Sequence, residues 1–319
     1  MKKNIIFSNK QCPGDIVAMQ YGVNCFAKEH KEYNVNVETT VPDLWIGNPY
    51  IKHDLKPSKA TRNIKLDYRS IHRSNQNPVS FLHAFRETIE NVLKLKCPDI
   101  PYQETIHITE EEKGWFSAPR EILGHDYPYW VINSGYKKDF TAKQWDFNRY
   151  QQLVTLNPNV FFVQVGLTNS HHVHKPLVGS NVINLLNKTD NRQLIRLVYN
   201  SFGVITPVSY TMMLAYCIPP HPRFKRKSRG CIVIAGGREP NHWQQPPGGH
   251  YLHTCGMLPC CDYGGCWKSR VIPIGDNDDK DKSLCAYPVK IGKQTIAKCM
   301  DMISFDEVDL ILHKYMENL

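Results

Sequence analysis

Short runs of apolar and β-branched residues alternate with longer amphipathic segments along most of the chain. The short runs predict strands over residues 4–8, 35–39, 105–109, 129–133, 160–165, 202–205 and 231–235. Between them, apolar residues recur at steps of three and four over 79–95 and 190–200, which predicts helices. A capping box at 304–307 predicts the start of a last helix. Strands that alternate with helices favour an α/β fold with mainly parallel sheets.

The pattern lapses over residues 114–127, where prolines and glycines cluster, and then restarts with a strand. A length of 319 residues also suits two domains. We therefore expect an N-terminal domain over 1–125 and a C-terminal domain over 126–319, facing each other across a cleft. The composition, 41% hydrophobic and 22% charged, is that of a globular protein. No apolar run approaches the roughly 20 residues that span a bilayer, so we expect no membrane insertion and a cytoplasmic location.

Six of the eleven cysteines crowd into the last fifth of the chain. They are Cys255, Cys260, Cys261, Cys266, Cys285 and Cys299. In a reducing compartment, clustered thiols more often bind metal than form disulfides. We expect a finger over about 255–300 in which four thiolates hold a structural zinc or iron ion, namely Cys261, Cys266, Cys285 and Cys299. Cys260 could replace Cys261, and buried free cysteines are the alternative.

Two parts of the C-terminal half could bind an anion such as a diphosphate. Lys137 and Lys143 follow the strand at 129–133, on a loop beyond its end. Residues 202–215 are typical of a strand, a tight turn and a helix, so the backbone N–H groups near Thr206, Ser209 and Tyr210 would face a ligand. The alternatives are solvated lysines and an ordinary turn. No GxGxxG, Walker-type GxxxxGK, GxSxG or HExxH motif occurs, which excludes several common enzyme classes.

Asp15 lies just after the first strand, at the start of a helical segment. In an open α/β sheet, ligands bind at the carboxyl ends of the strands, so Asp15 is a candidate functional residue. The alternative is an acid that stabilises the first turn of a helix. Three other features are interpreted as polar or solvated loops. They are the histidines at 171, 172 and 174, which could also bind metal; the acidic run at 276–279, which resembles the motif by which some glycosyltransferases hold a divalent ion; and the basic run at 223–229, which could also bind nucleic acid.

Several segments, in this order, resemble those of the heptosyltransferase-type glycosyltransferases of family nine. Residues 13–17, Pro-Gly-Asp-Ile-Val, are similar to the family's N-terminal glycine-aspartate motif. Residues 187–198 resemble its threonine, acidic, leucine-rich helix, and 202–215 resemble the donor-site turn that follows. The cysteine-rich end is similar to the iron-binding finger of bacterial autotransporter heptosyltransferases. The turn differs from the family, since Thr206-Pro207-Val208 stands in place of aspartate, a small residue and glycine, and Met213 in place of a histidine.

The resemblance implies the GT-B architecture, two facing Rossmann-like domains, with a cysteine-rich metal finger near the C-terminus. It implies inverting transfer of a sugar, for example heptose, from a nucleotide-diphosphate sugar to an acceptor hydroxyl, with no catalytic metal. Asp15 would be the general base. Lys143 or Lys137 would neutralise the diphosphate, which residues 206–210 would cradle. A structural iron or zinc ion is the implied cofactor, and the nucleotide sugar is the implied partner.

Two other functions stay open. The net charge of +9 and the basic run at 223–229 are compatible with a metal-knuckle protein that binds or glycosylates nucleic acid. The altered donor turn is compatible with a catalytically inactive homologue that serves as a binding subunit. The acceptor, whether protein, glycan or nucleic acid, is left open, and so is the oligomeric state.

Overall fold

The computed structural model describes residues 2–67, 77–137, 141–262, 264–266 and 285–317. The whole segment 267–284 between Cys266 and Cys285, which includes the acidic run at 276–279, lies outside these ranges. Within them the chain forms two parallel sheets and two small antiparallel ribbons, with helices packed around them. Among the described residues, no helix combines the length and the apolar composition that a bilayer crossing requires.

The elements are numbered in chain order. The strands are β1 (Lys3–Asn9), β2 (Tyr33–Thr39), β3 (Thr61–Lys65), β4 (Tyr129–Ile132), β5 (Tyr136–Lys137), β6 (Phe161–Gln164), β7 (His172–Val173), β8 (Val182–Asn184), β9 (Gly203–Pro207), β10 (Gly230–Gly236), β11 (His250–His253), β12 (Pro288–Ile291) and β13 (Gln294–Ala297). The α-helices are α1 (Pro13–Glu29), α2 (Phe81–Leu93), α3 (Glu110–Lys113), α4 (Ala118–Leu123), α5 (Phe147–Leu156), α6 (Asn191–Asn200), α7 (Tyr210–Cys217), α8 (Asn241–Gln244), α9 (Lys298–Asp301) and α10 (Phe305–Met316).

The N-terminal sheet has three parallel strands in the order β2-β1-β3. Ile5, Ile6 and Phe7 in the central strand are at most 1% exposed, because a central parallel strand is covered on both faces. Helix α1 is buried continuously over residues 15–27, since it packs against α2 on one side and α7 of the other half on another. Its position between the two halves places its first turn near both sheets.

The C-terminal sheet has six parallel strands in the order β11-β10-β9-β4-β6-β8. The chain enters this sheet at β4 and builds outward through β6 and β8. It then returns to the other side of β4 for β9, β10 and β11. The direction of winding therefore reverses between β4 and β9. Helix α10 covers this sheet, and the Trp130 indole N–H of β4 donates to the Met316 sulfur at 3.2 Å.

Most predicted elements form where the sequence indicates, and one prediction is wrong. Residues 105–109 are not a strand but an irregular segment that leads into α3. Thr109 is the N-cap of α3, and its hydroxyl accepts a hydrogen bond from the Glu112 backbone N–H. The end of the segment therefore forms the start of a helix. The N-terminal sheet ends at residue 65 and the C-terminal sheet starts at 129. The division into domains 1–125 and 126–319 stays our proposal.

Candidate active site

The candidate active site is the crevice at the carboxyl ends of β4 and β9, between which the strand order reverses. In open α/β sheets, ligands bind at such a reversal, because the connections after the two strands run in opposite directions. The backbone N–H of Asn133, just after β4, donates to the Ile205 carbonyl in β9 at 2.9 Å. Its side-chain amide donates to the Thr211 hydroxyl in the first turn of α7 at 3.2 Å. These bonds fix the two strand ends and the start of α7 to one another.

The turn after β9 leads directly into α7, as the sequence predicts. Thr206 is fully buried, and its hydroxyl lies 2.7 Å from the Ser209 hydroxyl and 3.0 Å from the Pro207 carbonyl. Ser209 is the N-cap of α7, but its side chain caps no backbone N–H. Tyr210 contributes its backbone to the first turn, while its hydroxyl is buried with no hydrogen-bond partner in the described ranges. A helix start without a side-chain cap favours an anion.

The start of α1 lies against the start of α7. A side-chain carbon placed on Gly14 would lie 3.7 Å from Cα of Tyr210, so the two backbones pass close to each other. Asp15 follows Gly14, is 6% exposed, and accepts a hydrogen bond from the Cys12 backbone N–H at 3.1 Å. That bond is expected of an acid that stabilises a helix start. The structure thus brings Asp15 to the crevice beside the 206–210 turn and gives it a local structural role as well.

Lys143 ends the 3-10 helix Thr141–Lys143, and its ammonium lies 2.8 Å from Oε1 of Glu239. Glu239 follows β10, and its side chain is 5% exposed. Its Oε2 is buried and has no hydrogen-bond partner within the part of the chain that the structure describes. Lys137 lies in β5, directly opposite His172 of the antiparallel strand β7. Glu239 was not predicted, although an acid just after the strand at 231–235 was an available signal.

The thiols of the cysteine-rich region lie close together around the end of β10, and we call them the cysteine cluster: Cys255, Cys260, Cys261, Cys266, Cys285 and Cys299. A side-chain carbon placed on Gly237 would lie 3.1 Å from Sγ of Cys261 and 3.2 Å from Cβ of Cys299. The backbone N–H of Cys266 donates to the Gly237 carbonyl at 3.0 Å. Burial raises the pKa of the Cys266 thiol to about 12 and that of Cys299 to about 11, and neighbouring thiols add to both shifts.

The described part of the chain does not show the predicted metal site. No three histidine, cysteine, aspartate or glutamate side chains in the described ranges have an arrangement that could hold a metal ion. Cys285 lies at the end of the segment 267–284, which the structure does not describe. The four-thiolate site therefore stays a proposal, which is supported by the proximity of Cys261, Cys266 and Cys299 around Gly237.

The loop after β10 joins the cysteine cluster to Lys143. The Cys255 thiol donates to the Glu239 carbonyl at 3.6 Å, and the Tyr251 hydroxyl donates to the same oxygen at 3.1 Å. The Glu239 side chain in turn binds Lys143. Residues 236–239 thus contact the cluster at one end and a candidate phosphate-binding lysine at the other.

A buried ion pair joins the two halves of the chain. Arg192 in α6 donates to both carboxylate oxygens of Glu112 and also to the carbonyls of Asp43 and His107. The Arg192 and Glu112 side chains are 10% and 7% exposed. Although burial opposes ionisation, hydrogen bonds from Arg192 and from the Thr109 backbone N–H hold the pKa of Glu112 below its ordinary value. Neither residue was predicted, because the pair joins segments 80 positions apart.

No protein-family model matches the chain, and no curated protein matches it in sequence. Solved structures do match it. A glycosyl transferase family 9 protein from Veillonella parvula has a TM-score of 0.64 at 11% identity, with 100% of this chain and 99% of that chain covered. TibC, an iron-containing dodecameric glycosyltransferase from enterotoxigenic E. coli, has a TM-score of 0.64 at 14% identity, with 99% and 77% covered.

The ADP-heptose LPS heptosyltransferase II of E. coli also matches, with a TM-score of 0.53 at 11% identity and 98% of both chains covered. At these identities the similarity establishes the fold. The chain therefore has the parallel-sheet α/β fold of these GT-B glycosyltransferases, which confirms the fold class that its sequence predicts.

Proposed function

We propose that the chain is an inverting glycosyltransferase that moves a sugar from a nucleotide-diphosphate sugar to an acceptor hydroxyl. The observation that carries the proposal is the meeting of two helix starts, α1 and α7, at the strand reversal, with Lys143 on the same edge of the sheet. The start of α7, which has no side-chain cap, and an ammonium suit a dianionic leaving group, and the start of α1 brings the Asp15 carboxylate beside them. TibC, whose fold is similar, has been crystallised with ADP-D-beta-D-heptose. This makes ADP-heptose the first donor to test.

In such a transfer, the acceptor oxygen forms a bond to the anomeric carbon while the bond to the diphosphate breaks on the opposite face. The diphosphate would leave with the electron pair at the start of α7, where Lys143 or Lys137 would offset its charge. Asp15, at the start of α1, would take the proton of the acceptor hydroxyl. Pro207 has no backbone N–H, so the N–H donors of this turn would come from the start of α7.

We propose further that Cys261, Cys266, Cys285 and Cys299 hold one structural iron or zinc ion. Three of them lie in one cluster around Gly237, and sulfur ligands suit both metals. When bound, the ion would cross-link the loop after β10 to the C-terminal segment. An oligomer is a further proposal, since TibC is described as dodecameric.

The structure disfavours the nucleic-acid alternative, because much of the basic run at 223–229 has structural partners. Arg223 pairs with Asp126. Arg229 is 4% exposed and donates to the carbonyls of Ala215 and Pro219. A basic run that binds phosphates needs exposed charges. Arg229 is buried, and Arg223 already pairs with a carboxylate of the protein.

The proposal predicts that a nucleoside diphosphate protects the protein against heat. A ligand that binds only the folded state stabilises it by about 2.7 kcal/mol at a hundred times its Kd. Melting temperatures measured with ADP, UDP and GDP should show a rise for at least one of them. Lys143→Ala should reduce that rise, because the ammonium no longer meets the diphosphate.

The control is Lys293→Ala, which removes an exposed lysine from the turn between β12 and β13. It should keep the full rise. If no nucleoside diphosphate raises the melting temperature of the wild-type protein, the glycosyltransferase proposal loses its support.

A further inference from the structure

The sequence context of His174 indicates a polar loop. In the structure, its ring instead fills a slot between two glycines. A side-chain carbon at Gly135 or at Gly166 would overlap with Cε1 and Nδ1 of the His174 ring. Gly166 also has a φ of +152°, which residues with a side chain rarely adopt. Gly135 follows β4 and Gly166 follows β6, so the slot lies at the carboxyl ends of two adjacent strands.

The ring fills the slot between the two glycines. Cε1, Nδ1 and Nε2 all overlap with the two side-chain positions, and Nε2 is the farthest of the three, at 2.5 and 2.7 Å. Nδ1 is buried and has no hydrogen-bond partner among the described residues. Of the two ring nitrogens, Nδ1 is therefore the one closed off by the slot, and Nε2 is the one left to meet a ligand.

The segment that carries His174 is fixed to the sheet. The Gln164 side-chain amide donates to the Ser134 hydroxyl at 2.9 Å and to the Lys175 carbonyl at 2.7 Å. Its carbonyl oxygen accepts from the Leu177 backbone N–H at 2.8 Å. On the other side of His174, β7 pairs with β5, which carries Lys137. The ring is thus held beside the ribbon that bears one of the two candidate phosphate-binding lysines.

The surroundings keep this imidazole neutral. Burial, and then the neighbouring His172, lower the pKa of His174 to about 4. A neutral imidazole carries its proton on one nitrogen only. Because a buried N–H without an acceptor is costly, the proton belongs on Nε2 rather than on the buried Nδ1. Nε2 is then a hydrogen-bond donor that adds no charge.

We propose that His174 is a further donor-binding residue, whose Nε2–H donates a hydrogen bond to a phosphate oxygen of the nucleoside diphosphate beside Lys137. This inference rests on the proposed function and adds a third contact to the two lysines. A neutral donor in a preformed slot improves the positioning of a diphosphate without strengthening the charge attraction that would retain the product. The two glycines and Gln164 are then the parts of the fold that set the ring in place.

Two variants of nearly equal size test the hydrogen bond. His174→Gln keeps an N–H donor, and His174→Met removes it while filling a similar volume. Titration calorimetry should use whichever of ADP, UDP or GDP binds the wild-type protein most tightly. We expect His174→Met to weaken binding by about ten- to a hundredfold, as for a hydrogen bond to a charged group, and His174→Gln to recover part of the loss. The matched control, His171→Met on the same loop and exposed, should bind like the wild type.

A pH series separates the neutral ring from a charged one. With a pKa of about 4 in the folded protein, the ratio of wild-type to His174→Met affinity should stay constant between about pH 6 and 8. A ratio that rises as the pH falls through about 6.5 would overturn the neutral-donor role. Equal affinities of the Met, Gln and wild-type proteins would show that the ring only fills space. If the wild-type protein binds no nucleoside diphosphate at all, it is the proposed function that fails.

Discussion

Asp15 has one role that the structure shows and a second that we propose. Its carboxylate accepts a hydrogen bond from the Cys12 backbone N–H, which stabilises the first turn of α1. The same turn lies against the start of α7, where an acceptor would have to lose its proton if the crevice binds a sugar nucleotide. Removing an acid that only stabilises a helix lowers the stability of the protein, whereas removing a general base lowers the transfer rate. One substitution therefore distinguishes the two roles.

Replacing Asp15 by asparagine should slow transfer by about a hundred- to ten-thousandfold if it is the base. Nucleotide binding should stay, because the lysines and the start of α7 are untouched. If Asp15 only stabilises the helix, the same change should cost about 1 kcal/mol of stability and leave the rate nearly unaltered. Transfer rate and melting temperature should be measured on the same preparation.

The control for this variant is Asp306→Asn, which changes an acid in the first turn of α10, far along the chain from the crevice. It should leave the transfer rate unchanged. A stability loss in Asp15→Asn together with a retained rate would remove Asp15 from the mechanism.

At the scale of single residues, the sequence could propose only candidates that follow strand ends in a regular way. Asp15, Lys143 and the 206–210 turn are of this kind, because a strand end can be recognised from the sequence alone. Glu239 and His174 were not among these candidates, because they are marked by contacts with distant residues. The His174 slot, for example, joins glycines that precede it by 39 and 8 positions.

At the scale of elements, the sequence predicted the central strands of both sheets and the edge strand β2, and it missed the other three edge strands. β3, β8 and β11 were not predicted, and each lies at the edge of its sheet. Edge strands are covered on fewer sides and need fewer apolar residues, as in Thr61–Lys65, where only Thr61 and Ile64 are buried. The hydrophobic pattern therefore shows the middle of a sheet better than its limits. The predicted strand at 105–109 failed for another reason, since Thr109 caps a helix.

The cysteine cluster gives a prediction at the same scale. Freshly purified protein should contain about one iron or zinc ion per chain, and Cys266→Ser or Cys299→Ser should lose it. Because the loop 236–239 joins the cluster to Lys143 through Glu239, metal loss should also reduce the thermal protection by a nucleoside diphosphate. Thiols with raised pKa values must release protons to bind the ion, so its affinity should fall as the pH falls. Elemental analysis and melting curves measure both effects.

Cys97→Ala is the matched control, since Cys97 is buried and belongs to the N-terminal half. It should keep the full metal content. Chelator-free protein without metal would contradict the four-thiolate site and leave the cluster as buried free cysteines.

At the scale of the whole molecule, the alternation of strands and helices predicted mainly parallel sheets, and the break in the pattern at 114–127 predicted their division into two halves. How the halves are joined could not be read from it, because the joining contacts pair residues far apart in sequence. Asn191 and Arg192 at the start of α6 both contact Asp43, and Arg192 also binds Glu112. The Phe81 and Trp243 rings meet edge to face with centroids 5.1 Å apart. These contacts, together with the direct packing of α1 against α7, hold the two halves against each other.

Replacing Glu112 by glutamine should destabilise the protein by about 3–5 kcal/mol at pH 7, because Arg192 would stay buried without its charge partner. The pKa of Glu112 is lowered in the folded protein, so its stabilising effect is present above its ordinary value of about 4.3. The effect is lost as the pH falls through the lower folded value. The stability difference between wild type and variant should therefore shrink below about pH 4.

The control is Glu110→Gln, which changes a side chain that is 88% exposed and should alter the stability little. Denaturant titrations at several pH values would decide: equal stability of the two variants at pH 7 would show that the Arg192 pair does not hold the halves together.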